Sequence, residues 1–253
     1  MNIEAIAQQL DEASVKATSV AQISLTQPFD LKAAYEIQRL SIQRRLDRGE
    51  RLVGYKMGFT SKAKMEQMGV HDLIWGRLTD AMFYDSHTDL PIAKFIHPRA
   101  EPEIAFMVSQ DITEVLTLDK AKDYVSHVTV ALEIIDSRYQ NFKFSLEDVV
   151  ADNCSSSAFA LGEWMPVSHN VEGILMSMVF DDIVKGSGNS NAILDNPWAS
   201  FVASSRLALE NGVVMKKGDV VLAGAATSAA HIKAGQTISA HADGLGSVFL
   251  EVV

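Results

Sequence analysis

Three glutamates and one lysine are the residues of this chain best suited, by type and spacing, to chemistry. Glu101 and Glu103 stand two apart in HPRAEPEIAFMV, residues 97–108. On an extended segment such a pair projects to one face, about 6.5–7 Å apart along the strand. Pro102 between them removes a backbone donor, which predicts an edge strand or a bulged strand end where side chains are re-aimed into a site. Glu133 lies in VTVALEIIDSRY, residues 128–139, inside an apolar run that predicts burial. A lone buried carboxylate is costly unless it is protonated, paired or bound to metal. Three carboxylates without a thiol cluster or a His pair suit a hard cation, Mg²⁺ or Mn²⁺, and leave about three octahedral positions for water or a bidentate ligand. The competing reading is a solvated strand end for Glu101 and Glu103, and for Glu133 an ion pair with Arg138 or Arg99. Spacing alone leaves that reading ahead.

Lys56 sits between two glycines in GYKMGFTSKAKM, residues 54–65. Glycines permit close backbone approach, and a lysine there can hold a carboxylate or move a proton; the plain alternative is a surface lysine on a strand. LAGAATSAA, residues 222–230, follows a strand with small residues. The hydroxyls of Thr227 and Ser228, with nearby backbone N–H groups, could hold an anionic group, against close packing as the plainer role. In VVADNCSSSAF, residues 149–159, Asp152 and Asn153 read as an Asx turn. No Cys–His–Asn spacing supports Cys154 as a nucleophile. His97 and His231 lie near these segments without metal-ligand spacing. GLGS at 244–247 lacks the strand–turn–helix context of a dinucleotide fingerprint.

These residues need elements to hold them. Residues 3–17 read as an amphipathic helix. A second runs from Leu31 to about Leu46, with Asp30 as N-cap and Gly49 as the stop. From Val53 the texture becomes short apolar runs between turn signals: IAFMVSQ, VTVALEII, SAFALG, ILMSMVF, DVVLAG, TISAHA and SVFLEVV. A later helix has Asn196 as N-cap, Pro197 at its first position and Gly212 past its end. Residues 180–193 read as a hairpin and loop. The order of elements predicts an α+β fold with mainly antiparallel strands. A smaller N-terminal region over 1–75 and a β-rich catalytic body over 76–253 are expected.

The bulk numbers narrow the function. With 253 residues and 47% apolar content the chain can bury a sizeable core. A net charge of -10 without a basic stripe argues against nucleic acid and anionic membranes as partners. A carboxylate substrate would need local cations to offset that field. The single cysteine excludes an intrachain disulfide and fits a reducing, cytoplasmic setting. The N-terminus carries acids and lacks a continuous apolar segment, which predicts no signal peptide. No apolar run approaches the roughly 20 residues that span a bilayer.

GYKMGFTSKAKMEQMGV, LTDAM, HPRAEPEIAF, ALEIIDSRYQNFKF, DVVADNCSSS and GLGSV occur together and in this order. From about residue 25 to the C-terminus this set resembles the fumarylacetoacetate-hydrolase superfamily, and within it the 2-oxopent-4-enoate hydratase and 4-oxalocrotonate decarboxylase branch. The resemblance implies a mixed β-sandwich roll with a smaller helical N-terminal region. It implies metal ligation by Glu101, Glu103 and Glu133, a role for Lys56, and an acid/base partner in Asp80. It also implies a small 2-oxo acid as substrate, a homo-oligomer, and association with the hydratase of the same meta-cleavage pathway for aromatic compounds. IDSRYQNFKF and the serines after ADNC favour decarboxylation of 2-oxo-3-hexenedioate over hydration of 2-hydroxypenta-2,4-dienoate. A reading of another class is a non-catalytic partner subunit of that hydratase.

Overall fold

The computed structural model describes residues 1–61, 65 and 72–253. Most of the expected motif run SKAKMEQMGV therefore lies outside the described residues. Helices α1 (Ile3–Val15) and α2 (Leu31–Asp47) begin where the side chains of Asn2 and Asp30 accept from Ala5 N at 3.0 Å and Ala33 N at 2.8 Å. Each cap satisfies an N–H that the first helical turn leaves without a partner. Together with α3 (Leu146–Ala151) they bury Ile6, Leu10, Ile37, Tyr139, Val150 and Cys154 in a local core.

Two sheets form the body. Among the described residues the larger has nine strands. Its main path runs β2 (Ile74–Thr79), β1 (Leu52–Gly58), β11 (Val220–Ala225), β5 (Arg99–Val108), β6 (Val125–Ile135), β7 (Ser156–Leu161) and β3 (Phe83–Tyr84). The short strands β8 (Met165–Pro166) and β12 (Ala230–His231) join β6 and β5. The smaller sheet has the order β10 (Ile183–Asn189), β9 (Leu175–Phe180), β13 (Thr237–Ala242), β14 (Gly246–Val252) and β4 (Thr88–Leu90). Pairing is mainly antiparallel; β1–β11, β3–β7 and β4–β14 are parallel. Helix α4 (Pro197–Glu210) packs on the larger sheet, with Phe106 against Trp198 and Phe201 at ring distances of 4.6 and 5.3 Å.

Alternation along β5 and β6 decides what faces what. Ile104, Phe106, Leu132 and Ile134 join the main core, which the smaller sheet supplies with Met178, Ile238 and Val248. The opposite face is interior too, because the larger sheet curls. There Leu78, Ala105, Ala131, Phe159, Val220 and Leu222 form a second apolar plug. Glu103 and Glu133 are the next same-face positions beyond Ala105 and Ala131. A buried polar knot braces the curl. Asn153 accepts from Arg77 N at 2.8 Å and donates to Arg77 O at 2.9 Å, imitating a strand partner for β2. Gln38 donates to Trp75 O at 3.0 Å and to Val150 O at 2.9 Å, tying α2 and α3 to the same place.

Two expectations need correction. The boundary at 75/76 falls inside β2, and both β1 and β2 belong to the larger sheet, so the separate N-terminal part is its helices alone. Pro102 marks neither an edge nor a strand end, because β5 is flanked by β6 on one side and by β11 and β12 on the other. Its carbonyl accepts from Ala226 N at 2.9 Å, so the side lacking an N–H faces the break between β11 and β12. The ladder register shifts there between Leu222 and Ala225, and the missing donor costs nothing.

Candidate metal centre and its cavity

Register and alternation bring the three glutamates together. Glu101 and Glu103 share one face of β5, and Glu101 stands directly opposite Glu133 on β6. One carboxylate oxygen from each of the three lies within 4.8 Å of the others, and all three residues are buried. Glu103 Oε2 accepts from Gly224 N at 2.7 Å. Gly224 has φ +106°, and a Cβ on it would lie 2.0 Å from Thr60 Oγ1, so the bulge that aims this N–H requires glycine. Glu103 Oε1 and Glu133 Oε1 are buried without a hydrogen-bond partner.

Lys56 reaches the cluster from β1 because the sheet is curled. Its Nζ lies 3.0 Å from Glu133 Oε2 and donates to Cys154 O at 3.2 Å. Burial alone would lower its pKa, but the negative charges of Glu133 and Glu103 outweigh that and hold it above its usual value. Burial pushes the Glu103 carboxyl up, and repulsion from Glu133 adds to it. Glu133 is also raised, by burial first, with Lys56 opposing. Among the described residues Lys56 is the cation paired with Glu133, and Glu103 has no ion-pair partner of its own there. Buried oxygens without partners are what a cation would satisfy. An all-oxygen donor set suits Mg²⁺, Mn²⁺ or Ca²⁺ and suits a soft metal poorly.

A cavity of about 620 Å³ opens above the cluster. Glu101, Lys56, Ser155, Ser228, Arg99 and Phe142 are among the residues that line it. Asn153, Cys154 and Ser155 all have left-handed backbone, with φ of 49°, 53° and 59°, held by the knot around Arg77. This turn leaves Ser155 Oγ buried without a hydrogen-bond partner.

Several other candidates fall elsewhere. Asp80 accepts from Arg51 N and Nε, each at 2.9 Å, and does not line the cavity. These bonds hold its carboxyl below the usual value, so it is a surface ion-pair member and not a proton-sharing neighbour of Lys56. Thr227 packs against Gly186 and Gly188 of β10, leaving only Ser228 on the cavity wall. The expected ion pairs for Glu133 are not formed: Arg138 pairs with Asp152 and Glu133 with Lys56. The Cys154 thiol donates to Trp75 O at 3.1 Å, and burial pushes it up to about 12, which removes it as a nucleophile. Ser155 and Arg99 as cavity-lining groups were not read from sequence. Arg99 could have been, since it shares the alternation of Glu101 and Glu103. Ser155 could not, because only the turn geometry brings it to the cavity lining.

The fumarylacetoacetate hydrolase C-terminal family matches residues 62–253. This chain belongs to the fumarylacetoacetate hydrolase family. Within it, the chain is 45% identical over 248 residues to a 4-oxalocrotonate decarboxylase from a Pseudomonas species, covering 98% of this chain and 97% of the relative. It is 35% identical to a 2-keto-4-pentenoate hydratase from Burkholderia vietnamiensis, covering 98% and 96% respectively. The fold superposes on 4-oxalocrotonate decarboxylase from Pseudomonas putida G7, solved with magnesium and adipate, with a TM-score of 0.96 and 30% identity over 99% of this chain and 97% of that one. The family's mixed roll with a helical N-terminal region is therefore the fold expected from the sequence motifs.

Proposed function

We propose that the chain is a Mg²⁺-dependent carboxy-lyase that converts 2-oxo-3-hexenedioate to 2-hydroxypenta-2,4-dienoate and CO₂. The observation that carries this reading is the cluster of three buried glutamates, in which Glu103 and Glu133 hold buried oxygens without hydrogen-bond partners and Glu101 lines a cavity. The decarboxylase relative supplies the substrate class, and the magnesium in the superposed structure supplies the metal. Glu101, Glu103 and Glu133 hold the ion. When bound, it supplies Lewis acidity at the substrate's 2-oxo oxygen. Lys56, kept cationic by its carboxylate neighbours, holds positive charge beside the position where that oxygen becomes anionic as the C5–C6 bond breaks and the electrons move through the C3–C4 alkene. Ser155 Oγ offers a hydrogen bond to the substrate's head group. Ile74, Phe142 and Phe144 limit water around the chain of the substrate.

Hydration is the second reading, favoured by the hydratase relative at 35% identity, and the same glutamates and Lys56 would serve it. One assay separates the two. The protein is incubated with 2-oxo-3-hexenedioate, following CO₂ release, and separately with 2-hydroxypenta-2,4-dienoate, following loss of its dienol absorbance, each with and without Mg²⁺. Mg²⁺-dependent CO₂ release is expected. Loss of the dienol alone would install the hydratase reading, full activity in demetallated protein would sink the metal's role, and silence toward both substrates would favour a non-catalytic subunit.

A homo-oligomer, its association with the pathway hydratase and a cytoplasmic setting are part of the same proposal. Strand β10 ends the smaller sheet and carries exposed Ile183 and Val184, an edge suited to a second chain. The free, buried Cys154 accords with a reducing compartment. Among the described residues no helix is long and apolar enough to cross a membrane.

A further inference from the structure

We propose that Arg99, backed by Phe142 and joined in the cavity lining by Lys143, is a second carboxylate subsite that makes this chain select dicarboxylates. The inference rests on the lyase reading above for the identity of the head group.

Arg99, Glu101 and Glu103 alternate along β5, and Arg99 lines the same cavity as Glu101, about 7 Å from it along the strand. That is comparable to the separation of the two ends of a six-carbon dioate. Among the described residues no carboxylate forms an ion pair with Arg99, and its Nε is buried without a partner. Its guanidinium carbon lies 4.1 Å from the centre of the Phe142 ring. An arginine stacked in this way keeps its donor edge free for a planar carboxylate. Lys56 cannot take that role, being tied to Glu133 at 3.0 Å.

Phe142 is placed there against local preference. Asn141 and Phe142 both have left-handed backbone, φ 57° and 58°, although neither is glycine. Phe142 is only half-buried, so core packing does not account for the strain. Its ring meets His97 at 5.1 Å and Phe144 at 5.8 Å, completing an aromatic wall behind the guanidinium. Arg99 and Lys143 also supply the local positive charge that an anionic substrate needs on a chain of net charge -10.

The chemistry sets the sign of the effect. The distal carboxylate leaves as neutral CO₂, so a cation beside it stabilises the bound substrate more than the transition state. Arg99 is therefore a specificity residue. Its loss raises KM and leaves kcat unchanged or higher.

The test uses Mg²⁺-loaded protein and calorimetric titration with 2-oxoadipate and 2-oxohexanoate, which share head group and length and differ in the distal carboxylate. The wild type should favour 2-oxoadipate by about 10- to 100-fold. Arg99→Gln should abolish that preference while 2-oxohexanoate affinity stays within about twofold, and Arg99→Lys should restore part of it. Phe142→Leu, which keeps the charge and removes the aromatic face, should reduce the preference and covers the case of a poorly folded Arg99→Gln. No preference in the wild type, an equal loss for both ligands, or a fall in kcat with unchanged KM would overturn the proposal. Binding selectivity that persists in a protein releasing no CO₂ would retire the lyase reading and leave the subsite standing.

Discussion

At the scale of single residues, Glu133 concentrates the energetic problem of the site. It is fully buried, faces a second glutamate across the ladder, and has Lys56 as its one ion-pair partner among the described residues. The sequence showed that Glu133 would be buried, because the run around it is apolar. It did not show the partner. Arg138, five residues on, was the nearer candidate in sequence, but Asp152 claims it, with Ser157 taking a further N–H. Glu133→Gln keeps the volume and removes the charge. Mg²⁺ at a hundredfold excess over its Kd should stabilise the wild type by about 2.7 kcal/mol. Thermal melting of Glu133→Gln should show almost none of this shift, and its kcat/KM should fall at least about a hundredfold. An unaltered Mg²⁺ shift in the variant would remove Glu133 from the ligand set.

At the scale of elements, the site depends on the bulge in β11 as much as on the strands that carry the glutamates. Gly224 donates to Glu103 from a backbone conformation closed to other residues, and Thr60 fills the space where a Cβ would go. Gly224→Ala should lower unfolding free energy by at least about 2 kcal/mol and weaken Mg²⁺ binding at the same time. Gly235→Ala is the control, since Gly235 also has positive φ, +83°, but open space around it. Urea denaturation with and without Mg²⁺ reads both effects. Equal losses in the two variants would show that backbone strain alone, and not the aimed N–H, is at stake. The helices were legible from caps and periodicity: Asp30, Asn196 and Pro197 stand where the sequence placed them. The bulge was not, because small residues in LAGAATSAA specify neither a register shift nor the strand that answers it.

At the scale of the whole molecule, the curl of the large sheet is decisive. It turns both faces of β5 and β6 into interior, one an apolar core and the other a column of apolar residues capped by carboxylates. The cost is visible in the protonation of the metal-free protein. Glu103 and Glu133 have raised pKa values, so the folded state binds more protons than the unfolded chain between the unfolded and folded values. Stability of the metal-free protein contributed by these groups is therefore full below the unfolded value and lost as pH rises through the folded one. Metal binding runs the other way, because the ligands must release their protons. The Mg²⁺-induced rise in Tm should accordingly grow as pH rises from the ordinary carboxylate range through the raised folded-state values, while these groups act to lower the metal-free Tm over the same interval. Calorimetric scans at several pH values check this, and a metal shift independent of pH would contradict it.

The sequence by itself determined which residues could hold a hard cation, since carboxylate type, alternation and an apolar setting are local properties. Its ordered motifs also carried the family and the roll. Tertiary structure decided the rest. It gave Lys56 to Glu133, drew Asp80 away to Arg51, left Thr227 outside the cavity, and turned Ser155 and Arg99 into it. These outcomes follow from curl, bulge and turn, which bring together groups far apart in the chain. No spacing along a sequence encodes the distance across a curled sheet.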